Sequence, residues 1–218
     1  GFYFSTRYPG DDSIEIDGDD VETCNDAIEL CRKEVLELER KLKKDEVLIC
    51  AGDSITDMGR AMPDGEGLSC NASWGSSYVN LVGGYLGAEF PELRIRVINQ
   101  GISGNQSRDL LARWDKDIIA KKPDWVTILI GVNDVWRKFD APYLYHLHVG
   151  IEEYRENLKK IIEKTLPITP NIVMLTPYMI ENNHQDAMRK EMIRFAQVCK
   201  EVAEEYQLSC LDLQAGFD

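Results

Sequence analysis

Apolar residues gather in five short runs, at 47–51, 95–98, 125–130, 172–176 and 208–213. Each is too short for a helix. Most are apolar at consecutive positions, the pattern of a strand buried on both faces. Between the runs lie longer segments, near 75–88, 106–120, 149–165 and 186–206, in which apolar residues recur at helical spacing. Strands alternating with amphipathic helices predict βαβ units, and hence an α/β domain with a parallel sheet covered on both faces. Right-handed crossovers then bring the C-terminal end of every strand to one edge, where sites in such sheets form.

The first part of the chain follows another rule. Val21, Cys24, Ile28, Cys31, Val35, Leu38 and Leu42 are spaced alternately three and four apart, one narrow stripe along a helix over 21–42. Asp19 or Asp20 can cap that helix, and acidic residues fill its first turn. The stripe needs a partner surface: the main domain, another helix, or a second copy in a homodimer. "LKKDE" at 42–46 reads as a polar linker, so the chain divides into an N-terminal segment, 1–44, and a main domain, 45–218.

Composition narrows the partners. A net charge of −13 argues against nucleic acid and anionic membranes, which demand clustered Lys and Arg. No apolar run approaches the ~20 residues that span a bilayer, and the N-terminus lacks the pattern of a signal peptide. Six cysteines are scattered without a C-x-x-C pair, so neither a zinc site nor a disulfide framework is indicated. Cys50 and Cys210, in strand-like runs, read as small core residues. Together these features indicate a reducing, cytoplasmic setting.

Chemistry enters where the strands end. "GDSITD" (52–57) follows the first, "NQGISGNQSRD" (99–109) the second and "GVNDVW" (131–136) the third. A serine hydroxyl is a weak nucleophile that must be exposed on a turn and paired with a base. Gly52 permits a sharp bend before Ser54. Acyl transfer also needs donors aimed at the developing oxyanion. The Ser54 N–H, the Gly104 N–H and the Asn133 side-chain amide are the candidates. Each motif alone has a plain structural reading: "GISGN" as a turn, "GVND" as a helix cap. All three in order, each after its own strand, are far more specific.

These motifs resemble the SGNH hydrolases, also called GDSL esterases/lipases, from "ICAGDSITD" through "GISGNQSRDLLARW" and "IGVNDVW" to "LTPYMIE". The resemblance covers residues 45–218. It implies a three-layer α/β/α flavodoxin-like fold of about five parallel strands, with Ser54 as nucleophile and Gly104 and Asn133 completing the oxyanion hole. It also implies ester hydrolysis through an acyl-enzyme with no metal or other cofactor. The stretches "PDWVTILIGVNDVWRKFD" and "HVGIEEYRENL" are similar to a bacterial branch of small acylhydrolases that deacetylate sugars or glycans. The expected substrate is therefore a short acyl, acetyl-like ester of a carbohydrate or small alcohol. The short polar insertion "GRAMPDGEG" (59–67), beside the nucleophile turn, favours a small acyl group over a lipid chain. G-x-S-x-G is absent, which disfavours a nucleophile-elbow architecture.

The family's last motif, Asp-x-x-His, occurs nowhere in the 218 residues. The chain stops at "LDLQAGFD", which makes the expected hydrolase domain C-terminally incomplete and its activity impaired as it stands. His184, in "IENNHQD" after the fourth strand, is a candidate base, with Asp186 or Asp53 to orient it. Asp53, Trp136 and His184 are candidate cleft residues, and Trp74, Trp136, Phe139 and Tyr178 are candidates for an aromatic rim. His146 and His148 form H-x-H, read as part of a solvated loop rather than a metal site. Residues 4–38, with "TRYP" and an acid-capped helix, resemble the C-terminal end of a HEPN domain. Beside the esterase stands an alternative from another class, a non-catalytic SGNH-like binding module.

Overall fold

The computed structural model describes residues 41–61 and 74–217. The helix expected over 21–42, the 1–44 segment and the HEPN likeness rest on residues outside these, as does most of the 59–67 insertion. Five strands form one parallel sheet: β1 (Val47–Gly52), β2 (Arg96–Gly101), β3 (Trp125–Leu129), β4 (Ile172–Leu175) and β5 (Ser209–Leu211). Their order is β2-β1-β3-β4-β5, the doubly wound arrangement in which β1 is an interior strand flanked by β2 and β3. Gly52 at the end of β1 pairs with Gly101 on one side and Leu129 on the other, so three strand ends lie in register.

The helices are α1 (Ser54–Asp57), α2 (Tyr78–Glu89), α3 (Ser107–Asp117), α4 (Val132–Asp140), α5 (Ile151–Thr165) and α6 (Ala187–Glu205). Strand residues alternate between two cores. Ile49, Ile98 and Ile128 face Trp114 of α3, Leu158 of α5 and Phe195 of α6. Leu48, Cys50 and Val97 share the other core with Val79 and Leu86 of α2. The three-layer α/β/α expectation therefore holds. The Trp114 indole is fully buried and donates to Thr165 Oγ1 (2.9 Å), so the core that joins α3 to α5 leaves no indole N–H unpaired. Among the described residues no helix is long and apolar enough to cross a membrane.

Two elements differ from the expectation. β2 continues through Asn99, Gln100 and Gly101. Asn99 is fully buried because every polar atom is bonded: Nδ2 donates to Thr56 O (2.6 Å) and Trp74 O (2.7 Å), and Oδ1 accepts from Gly101 N (2.8 Å). Residues 132–140, read only as a cap, form a nine-residue helix. Its signal was the spacing of Val132, Val135, Trp136 and Phe139, hidden by the charges between them.

Candidate active site

Asp53 sits at the end of β1 and caps α1, its Oδ1 accepting from Ile55 N (3.0 Å). Ser54 is the first residue of that short helix and is half-buried. The helix rests directly on Gly101, where a Cβ would overlap the backbone of Thr56 and Asp57. Only glycine permits that approach.

The loop after β2 is bound to this turn by its backbone. Ile102 N donates to Gly52 O (3.1 Å) and Ser103 N to Asp57 Oδ2 (2.9 Å). Gly104 follows with φ +83°, a conformation that side chains other than glycine disfavour. From the third strand end, Asn133 is nearly buried, and its Nδ2 donates to Asn105 O (3.0 Å). An amide nitrogen carries two hydrogens, so this bond fixes the side chain and leaves a second donor. Gln106 Nε2 returns the tie, donating to Asn133 O (3.3 Å). Ser54 and Asn133, each in the first turn of a helix, are therefore both tied to the Gly104 loop that lies between them in sequence.

A further set of residues was not foreseen as part of this arrangement. Asp134 is fully buried and accepts from Ser107 N (2.9 Å) and Ser107 Oγ (2.5 Å), while Asn157 Nδ2 donates to the same hydroxyl (3.0 Å). Burial raises the Asp134 carboxyl to about 6 against the pull of the Ser107 bonds. Arg113 bonds Gly52 O (3.1 Å), Gln100 O (2.9 Å) and Asn105 Oδ1 (2.7 Å). The sequence signal for both was weak, because an acid in the first turn of a helix and an arginine on an amphipathic one are ordinary surface features.

Asp53 stands out electrostatically. It is fully buried, and its Oδ2 has no hydrogen-bond partner among the described residues. Burial, aided by the nearby Asp134 charge, raises its carboxyl to about 7 although Ile55 N–H opposes the shift. Tyr178, after β4, is raised by its own burial and then by the Asp53 charge, which places the β4 loop within electrostatic reach of Asp53. An unfolded aspartate loses its proton near pH 4. Between about pH 4 and 7 the folded state therefore binds the extra proton, and stability falls as pH rises through that window, on the order of a few kcal/mol. Asp53→Asn keeps the capping acceptor and abolishes the titration. Its melting temperature is expected to exceed that of the parent by roughly 5–10 °C at pH 8, with the gap closing near pH 4. A gap that is the same at both pH values would exclude Asp53 as the titrating group.

The remaining candidates are dispersed. Trp136 is half-buried on α4. His184 is exposed in the loop before α6 and makes no hydrogen bond to a described residue, while Asp186 caps α6, its Oδ1 accepting from Arg189 N (2.8 Å). Trp74 does not belong to a rim: it is buried against Gly83, and its indole donates to Val97 O (3.0 Å). His148 Nε2 bonds Ala141 O (3.0 Å). Among the described residues no cluster of His, Cys, Asp and Glu has the makings of a metal site.

A doubly wound parallel sheet whose first strand, between two neighbours, delivers a serine flanked by a glycine turn and an asparagine has the architecture of the SGNH hydrolases. The chain belongs to the GDSL-like lipase/acylhydrolase family, which it matches over residues 50–218. It is 48% identical over 178 residues to an acetylxylan esterase from Geobacillus stearothermophilus, covering 82% of this chain and 80% of that protein. The crystal structure of that esterase matches with a TM-score of 0.78, covering 81% of this chain and 80% of that one. Structures also exist of its catalytic mutants, in which a serine, a histidine or an aspartate is replaced by alanine. An α/β hydrolase enzyme from the metagenome of Lake Arreo, Spain, matches at 43% identity and a TM-score of 0.76, over 81% of this chain and 80% of that one.

Proposed function

We propose that this protein is a serine esterase that removes acetyl groups from carbohydrate, with Ser54 as nucleophile. The observation that supports the reading most directly is that the helix starts carrying Ser54 and Asn133 are both hydrogen-bonded to the loop carrying Gly104. The similarity to an acetylxylan esterase supports the acetyl group and the carbohydrate. In this reaction Ser54 Oγ attacks the acetyl carbonyl carbon as a base takes its proton. The tetrahedral oxyanion accepts from Ser54 N–H, Gly104 N–H and the second Asn133 amide hydrogen. Collapse breaks the bond to the sugar oxygen, which leaves with the proton. Water then attacks acetyl-Ser54 and releases acetate.

The 218 residues hold no Asp-x-x-His from which to draw the base. A second reading, from another class, is a binding module that holds its ligand without turnover. His184 is the histidine whose loop follows β4, and it is the candidate base on this chain. Intact mass after exposure to a fluorophosphonate separates the two. A single adduct, absent from Ser54→Ala, is the outcome expected for an activated nucleophile, and its further loss in His184→Ala would assign the base. An unmodified parent protein would support the binding reading.

A further inference from the structure

α4 carries the chain away from Asn133, and residues 141–150 bring it back to the start of α5. This return segment is braced against the loop that follows β2. Gln106, two residues beyond Gly104, donates from Nε2 to Leu147 O (2.8 Å). Arg108 donates from Nη1 to His146 O and from Nη2 to His148 O (both 2.9 Å), and is itself held by Glu153 (3.0 Å). His148 closes the segment on Ala141 O.

On this fixed base stand two tyrosines that the core does not use. Tyr143 is 88% exposed and Tyr145 79%, with half-exposed Leu144 between them. The Tyr145 ring meets the edge of His148 at 5.6 Å, which orients it without covering it. Exposed aromatic rings cost hydration free energy, and a braced turn that displays two of them, tied through Gln106 to the backbone of Asn133, is suited to a ligand. Tyrosine gives a flat apolar face and a hydroxyl at little entropic cost on binding. That matches a pyranose ring, whose C–H face is apolar and whose rim carries hydroxyls.

We propose that Tyr143 and Tyr145 form a platform that binds the neutral sugar chain flanking the acetylated residue. The inference rests on the carbohydrate reading of the Ser54 site. The chain's net charge of −13 disfavours a polyanionic glycan, which leaves an uncharged pyranose chain of the xylan kind. Self-association is the weaker use of this patch, because three side chains fall short of the ~800 Å² per partner that a specific interface buries.

Titration calorimetry with unacetylated xylohexaose tests the platform without requiring turnover. The whole protein is expected to bind it, and Tyr143→Ala and Tyr145→Ala each to weaken binding roughly three- to tenfold. Leu81→Ala, which removes a comparably exposed side chain from α2, is the control and leaves binding unchanged. Parent protein that fails to bind the hexaose, or tyrosine variants that bind it as the parent does, would overturn the proposal. So would tyrosine variants whose mass by light scattering drops while sugar binding holds, since the patch would then join two copies. Failure of the esterase reading would be visible separately, as a missing Ser54 adduct alongside intact sugar binding.

Discussion

Asn133→Ala is expected to slow phosphonylation of Ser54 by about a hundredfold or more. The argument is geometric. The side chain is nearly buried, and its bond to Asn105 O fixes its orientation before any ligand arrives. A donor held in that way needs no reorganisation when charge develops on the attacked oxygen, which is why one such group has so large an effect. Only the side chain changes in this variant, so Asn133 O remains available to Gln106. The lost bond to Asn105 costs about 1 kcal/mol of stability, too little to unfold the protein. Asn133→Asp should be slower still, because a carboxylate repels the oxyanion. The measurement is adduct mass against time at fixed probe concentration. An unchanged rate in Asn133→Ala would remove this residue from the oxyanion hole.

The largest effect on stability is expected at the neighbouring position. Asp134→Ala would strand the Ser107 N–H and hydroxyl in a buried place, and loosen Asn157 with them. Loss of one partner from a buried, charged network costs roughly 3–5 kcal/mol. For a domain of this size that lowers the melting temperature by roughly 10 °C. Asp134→Asn can still accept from Ser107 through its amide oxygen and should recover part of the loss. Thermal unfolding by circular dichroism decides it, and a change below about 2 °C in Asp134→Ala would show that the network contributes little.

What the sequence made legible was whatever depends on local order. Five apolar runs marked the strands, and the three motifs that end β1, β2 and β3 proved to lie side by side because those strands are neighbours in the sheet. What it hid depends on partners distant along the chain. Asn99 looked like the end of a strand because it is polar, yet it continues β2 because Thr56 and Trp74 accept its hydrogens. Trp74 looked available for a rim, and nothing local revealed that Val97 O would hold it inside. Asp134 could be recognised as more than a helix-capping acid only with Ser107 and Asn157 in view, residues on two other helices. Tyr143 and Tyr145 follow a helix that the hydrophobic pattern had not marked, so the segment had no place in the fold until α4 gave it one.

Arg113 has a bearing on how this scaffold can be re-engineered. One guanidinium, standing outside all three motifs, holds the carbonyls of Gly52 and Gln100 and the side chain of Asn105. The nucleophile turn and the loop beside it thus share an anchor that neither encodes. A graft that exchanges residues 102–106 for those of another hydrolase must carry position 113 with it, since lysine lacks the forked donors to satisfy three acceptors at once. The smallest transplantable unit is the loop together with the middle of the helix behind it.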